Sequence, residues 1–175
     1  MMVREYLLDA NIVITIWSKY PELFDIIEKY SWVNFNISES IAKELCKKEF
    51  KEVNGTPVLS NKFLKLLNHI VNDEVHDINK NNKNHIKIKY NYKNKFYFIN
   101  GSKISSNDYN LICICEKNEK YTLVTGDKNI LKSAVSILGP SKVMNFENFI
   151  EDLKQNEILI EDNCPLSSKN NTSYY

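Results

Sequence analysis

The sequence predicts an α/β domain with a mostly parallel central sheet flanked by helices. Three observations carry this. Tyr6-Leu7-Leu8 and Tyr121 to Thr125 are short apolar runs of the kind found in buried parallel strands. Both end in a polar break that holds an acid, Asp9-Ala10-Asn11 and Gly126-Asp127, and both are followed by a helical segment. The length of 175 residues suits one domain able to bury a substantial core.

In chain order, Ile12, Ile16 and Trp17 supply the apolar positions of the first helix. Pro21 to Tyr30 reads as a second, with Pro near its first turn. Trp32 to Ile37 alternates like a strand. Ser38 caps a helix running to about Lys51, which carries Glu44 beside Ile41 and Leu45. Asn54-Gly55-Thr56-Pro57 is a turn. Asn61 to Val75 sets Phe63, Leu64, Leu66, Leu67, Ile70 and Val71 at helical spacing. After a polar loop at Asn79 to Asn84, His85 to Tyr92 alternates with period two. Lys93-Asn94-Lys95 turns, and Phe96 to Ile99 returns. This is a β-hairpin with Ile86, Ile88, Tyr90 and Tyr92 on one face. Ser105 or Ser106 caps a helix with Asp108 in its first turn and Leu111, Ile112, Ile114 and Cys115 as candidates for its buried stripe. Lys117 to Lys120 turns into the strand ending at Thr125. Asn129 to Leu138 is a helix stopped by Gly139-Pro140. Val143 to Phe146 gives a last short strand, Glu147 to Leu153 a helix, and Ile158 to Ile160 an edge strand. The domain is expected to span 1–163, with the hairpin inserted at about 79–101 and a mobile polar tail at 164–175.

Charge is nearly balanced, Lys+Arg 23 against Asp+Glu 22. That excludes a grossly basic nucleic-acid protein but not a local basic patch. Arg4 is the only arginine while lysine and asparagine abound, so lysine counts weigh less than usual. From Ile78 to Asn107 there are seven lysines and no acid. Lys87, Lys89, Lys93 and Lys95, interleaved with tyrosines, are candidates to hold phosphates beside stacked bases; period-two lysines also protect an edge strand from pairing. No apolar run approaches the ~18 residues of a membrane span, and no secretory signal precedes the first strand. Cys46, Cys113, Cys115 and Cys164 form no C-x-x-C pair. His69, His76 and His85 complete no zinc pattern. Free thiols and the lack of a leader point to a reducing cytoplasm. The four glycines are isolated, so no phosphate-cradling loop exists.

In open α/β sheets, ligands bind outside the carboxyl ends of the strands. Asp9 and Asp127 belong there, and Asp108, on the helix leading back into the strand before Asp127, can reach the same edge. Each has an ordinary reading: Asp9 and Asp127 as helix caps, Asp108 as a first-turn acid favoured by the helix dipole. The joint pattern, with Glu44 on a helix between, argues for convergence. Clustered carboxylates repel and raise at least one pKa unless a cation is present. Oxygen donors of this hardness select Mg²⁺ or Mn²⁺ over zinc or copper. Such a cation activates water for attack, so no side-chain nucleophile is required.

Asp9 in LLDAN, Glu44 in SIAKEL, Asp108 in SSNDYNLICIC and Asp127 in VTGD together resemble the acidic quartet of PIN-domain nucleases, above all the ribonuclease toxins of bacterial toxin–antitoxin pairs. The resemblance covers roughly Tyr6 to Phe149 and fits poorly in the middle. It implies metal-dependent hydrolysis of RNA phosphodiester bonds. Asp9, Asp108, Asp127 and Glu44 would then be the catalytic and metal-holding residues. Asn11 and Thr125 match polar positions of that family's site, and Asn129 stands where some relatives carry a further acid. RNA is the implied substrate, and an antitoxin protein or a second copy of the chain the implied protein partner. Two alternatives stand beside it. A haloacid-dehalogenase-like phosphatase also begins with an Asp after its first strand, but wants a second Asp where Asn11 stands. It also wants an acid soon after Asp127, where none comes before Glu147. A non-catalytic binding module on the same fold has no need of four intact acids.

Overall fold

The computed structural model describes residues 3–49, 51–73 and 85–159. In chain order its elements are β1 (Arg4–Leu8), α1 (Ala10–Lys19), α2 (Leu23–Ile27), β2 (Val33–Ser38), α3 (Glu39–Glu49), β3 (Lys51–Val53), β4 (Thr56–Val58), α4 (Asn61–Leu64), β5 (Ile70–Val71), β6 (Ile88–Asn91), β7 (Phe96–Ile99), β8 (Ser102–Ser105), α5 (Ser106–Lys117), β9 (Tyr121–Val124), α6 (Lys128–Leu138), β10 (Val143–Met144) and α7 (Phe146–Gln155). Five strands form a parallel sheet in the order β10-β9-β1-β2-β5. Leu7 and Leu8 of β1 and Leu123 and Val124 of β9 are buried, which is why these strands read as unbroken apolar runs. The α/β expectation holds, with helices packed on the sheet.

α7 closes over β1. Phe149 meets the Tyr6 ring edge to face at 4.9 Å. The Tyr6 phenol donates to Asp152, whose two oxygens also accept from Arg4 Nη1 at 3.0 Å. Burial, reinforced by the Asp152 carboxylate, raises the phenol's pKa, so the hydroxyl remains a donor. The half-exposed Arg4 pair contributes little by itself; the cost of losing Asp152 lies in the orphaned phenol. Asp152→Ala is expected to cost about 1–3 kcal/mol and Asp152→Asn less, read as the fall in melting temperature of each.

Several elements differ from the expectation. The second helix is only Leu23–Ile27, and the helix carrying Glu44 ends at Glu49, because Lys51 already opens a small hairpin. That hairpin turns on Asn54 and Gly55, both at positive φ, 52° and 76°, as a tight two-residue turn requires. Asn61 to Val75 is not one helix. It makes α4, a 3₁₀ turn at Lys65–His69 and then β5. The His69 ring stacks on Phe35 at 3.9 Å and its Nδ1 bonds the Phe35 carbonyl at 2.9 Å, fixing the turn against β2. Ile70 and Val71 then satisfy the open edge of β2. Ile158 and Leu159 are buried but form no strand; both N–H groups bond the Leu153 carbonyl and close α7. Ile160, Cys164, His76, the 79–84 loop and the 164–175 tail lie outside the described residues.

A hairpin pairs β6 with β7, and Tyr90 faces Tyr97 across it; Tyr92, expected on the same strand face, lies past the end of β6 in the turn and is exposed. A third antiparallel strand, β8, extends it and ends directly in the cap of α5. No helix among the described residues is long and apolar enough to cross a membrane.

Candidate active site

Because β1, β2 and β9 are parallel, their carboxyl ends share one edge of the sheet. From β1 the chain moves to β2 on one side, while β9 and β10 lie on the other. The point between β1 and β9 is therefore a topological switch, the kind of position at which open α/β sheets bind ligands. Leu8 pairs with Val124, so Asp9 and Thr125 leave adjacent strands side by side. α1, α3 and α6 begin at this edge, each following its strand. α5 precedes β9, so its first turn lies there too.

Asp9 occupies the N-cap position of α1, yet its side chain makes no capping hydrogen bond to that helix's second or third N–H. Its Oδ2 instead accepts a 2.9 Å hydrogen bond from Thr125 Oγ1. The carboxylate is 4% exposed and Thr125 fully buried. The same hydroxyl accepts from the N–H of Asp127 at 3.2 Å, so Thr125 links the ends of the two halves of the sheet. Burial pushes the Asp9 carboxyl up to about 6. The charges of Asp108 and Glu44 add to this, against the bonds from Thr125 and the Ala10 N–H.

Asp108 is half-buried. Its Oδ2 accepts from the Ser105 N–H at 3.0 Å and Ser105 Oγ at 2.7 Å, and Ser105 Oγ accepts from the Asp108 N–H, a reciprocal capping box. Burial raises its pKa; the Ser105 bonds oppose this, and the charges of Asp127 and Glu44 reinforce it. Asp127 is exposed and caps α6, Oδ1 accepting from the N–H groups of Asn129 at 2.7 Å and Ile130 at 3.0 Å. Glu44 is half-buried, with Oε1 2.8 Å from Lys48 Nζ. The ordinary readings are thus realised at Asp108, a first-turn acid in a capping box, and at Asp127, a cap, and the cap reading fails at Asp9.

The four acids act on one another electrostatically: Asp9 feels Asp108 and Glu44, and Asp108 feels Asp127 and Glu44. Asp108, Asp127 and Glu44 each engage one oxygen, and Asp108 Oδ1, Asp127 Oδ2 and Glu44 Oε2 accept no hydrogen bond among the described residues. No family model matches the chain, and no curated protein matches it.

No three His, Cys, Asp or Glu side chains among the described residues stand close enough to hold one metal ion as they are. The donor chemistry nevertheless fits a hard cation: the donors are carboxylate oxygens, three with a spare lone-pair face, on neighbouring charges that repel. Side-chain rotation is needed to close them to the ~2.1 Å of a Mg²⁺ shell.

Asn11 and Asn129 are exposed; Asn129 serves the group through its N–H, and the Asn11 carbonyl accepts from Thr15 Oγ1. Lys87, Lys89, Lys93 and Lys95 are exposed on or beside the β6–β7 hairpin, a separate sheet from the one that carries Asp9 and Asp127. Clefts between Tyr20 and Phe146 and between Ile99 and Leu131 contain none of the four acids.

The sequence reading missed how deeply α5 is buried: Tyr109 to Cys115 are all inside, with no exposed face. Both amide atoms of Asn110 lack a partner among the described residues. The signal was present in the unbroken run Leu111 to Cys115. Cys46 and Cys115 are free thiols, and burial pushes Cys115 up to about 12, so it is a packing residue and not a nucleophile.

Proposed function

We propose that the chain is a metal-dependent ribonuclease of PIN-domain type. The observation that carries this reading is Asp9: a buried carboxylate in a cap position that does not cap, held by Thr125 and facing further acids at the switch point. Burying such a charge without an ion partner is costly, and structural need does not account for it.

In this reading Asp9, Asp108 and Asp127 hold Mg²⁺ or Mn²⁺, with Glu44 completing the shell or orienting the attacking water. The cation supplies an activated water and neutralises charge on the phosphate. Thr125 fixes the Asp9 carboxylate by donating to Oδ2, which leaves Oδ1 to face the cation. Ser105 does the same for Asp108, and the α6 N-terminus for Asp127. Asn11 and Asn129, at the exposed starts of α1 and α6, would meet the substrate's phosphates. RNA substrate, an antitoxin or a second copy of the chain as protein partner, and a cytoplasmic location belong to the same proposal.

The test is cleavage of a labelled single-stranded RNA with Mn²⁺, with Mg²⁺ and with chelator. Cleavage in either metal and none in chelator is expected, and Asp127→Asn should remove it while α6 stays capped. Equal cleavage in chelator, or by the Asp127→Asn chain, would sink the mechanism.

A further inference from the structure

The small antiparallel sheet has two unlike faces, fixed by its register. Ile88, Tyr90, Tyr97, Ile99, Ser102 and Ile104 share the inner face. Ile99 and Ile104 are buried there, and Tyr97 stacks on Tyr109 of α5 with ring centroids 3.7 Å apart and planes at 8°. Tyr90 packs on Tyr97 at 4.5 Å. The sheet is thereby clamped to the helix that carries Asp108.

The outer face is composed differently. Across the three strands, one row reads Lys89, Phe98, Lys103 and the next Asn91, Phe96, Ser105. Phe96 and Phe98 are half-buried, and neither packs against the hydrophobic core. Their rings lie two residues apart on one strand, about 7 Å. Lys89 and Lys103 are exposed on either side of Phe98, and Lys103 Nζ sits 4.0 Å from the Phe96 ring centroid. Described residues 85–105 include five lysines and no acid. The second row ends at Ser105, whose Oγ and N–H bond Asp108.

We propose that this outer face is a single-strand RNA platform: bases stack on Phe98 and Phe96, phosphates lie on Lys89 and Lys103, and the strand leads past Ser105 to the acids at Asp108. The inference rests on the ribonuclease reading for its direction, though not for its chemistry. Aromatic rings flanked by cations on an open sheet are how sequence-tolerant single-strand binders hold nucleic acid, since every base has a π-face. Edge protection by lysine accounts for Lys89 but not for two outward phenylalanines, because protection calls for fewer exposed apolar groups.

The test measures binding of the full chain, in chelator, to a fluorescein-labelled twelve-nucleotide single strand of RNA by anisotropy at 50 and 200 mM KCl. The double variant Phe96→Leu/Phe98→Leu keeps apolar volume and loses the rings; it should bind about tenfold or more weakly. The double variant Lys89→Gln/Lys103→Gln alters only exposed side chains. It should bind more weakly, with a log–log salt slope shallower by about 0.7 per lysine. A duplex of the same sequence should bind more weakly than the strand, since paired bases cannot reach the rings. Binding in chelator does not depend on the acids holding a metal, so failure of the platform and failure of the ribonuclease reading are read separately. Parent-like affinity and slope in both double variants would overturn the platform, as would duplex bound as tightly as single strand. So would a parent without RNA affinity whose self-association, measured by sedimentation, is lost in the phenylalanine variant; that outcome assigns the face to protein contact.

Discussion

Asp9→Asn is expected to make the protein inactive and, at neutral pH without metal, more stable. In the proposed mechanism the loss of RNA cleavage should exceed the roughly 10–100-fold that removal of an outer-shell partner of a metal costs, because Asp9 would be the buried carboxylate of the metal-holding set. The gain in stability follows from linkage. The Asp9 carboxyl has a folded pKa of about 6 against an ordinary value of 3.8. Below 3.8 both folded and unfolded chains hold the proton, and above 6 neither does. Between these values the folded chain holds a proton that the unfolded chain has lost, so stability falls as pH rises through that window. By pH 7.5 the full cost, about 3 kcal/mol, is present. Asn carries no charge, and its amide oxygen can still accept from Thr125. The variant should therefore melt above the parent at pH 7.5 in chelator, by roughly 6–12 °C at the usual sensitivity for a chain of this size. The two should converge near pH 4. A variant that melts below the parent at pH 7.5 would show that Asp9 is held for packing alone.

The second large effect is the response to metal. A ligand that binds only the folded chain stabilises it by mass action, about 2.7 kcal/mol at a hundred times its dissociation constant. Adding millimolar Mn²⁺ at pH 7.5 should therefore raise the parent's melting temperature by several degrees. Asp108→Asn should gain much less. In chelator it should melt level with the parent or slightly higher, since Asn at 108 can still accept from Ser105 while the charge facing Asp127 and Glu44 is gone. If Asp108 were only a first-turn acid, the signs reverse: metal leaves the parent unchanged, and the variant loses about 0.3–1 kcal/mol of helix-dipole interaction. Thermal melts of both chains, with and without Mn²⁺, separate the two.

Much of the frame was legible because buried parallel strands write themselves plainly. Tyr6-Leu7-Leu8 and Tyr121 to Val124 are apolar on both faces and stop at polar residues, so the sheet edge and the acids on it could be found together. The same reasoning failed at Ile70-Val71. Apolar spacing there fits a helix, and only the open edge of β2 decides for a strand, which no local pattern reports. β8 was hidden for a related reason: Ser-Lys-Ile-Ser has one apolar residue, and its strand character comes from pairing with β7. At the candidate site, the positions of the acids could be read but their hydrogen bonds could not. Asp9 and Asp127 both stand just before helices and Asp108 in the first turn of one, so local pattern assigns all three an ordinary helix-start role. What separates Asp9 is that Thr125 stands opposite it on the neighbouring strand, 116 residues away in the chain.

If the proposed chemistry holds, Asp108 and Asp127 are doubly employed, and this has an evolutionary consequence. One oxygen of each bonds at a helix start, and the other is left for the cation. A lineage that abandons the chemistry is still under selection to keep α5 and α6 capped. Its descendants should therefore drift to Asn, Ser or Thr at positions 108 and 127, and avoid alanine there. Position 9, which makes no such capping bond, is free of that restraint, and its loss relieves the fold. Decay of the activity should begin at Asp9 and leave the two caps as its last trace.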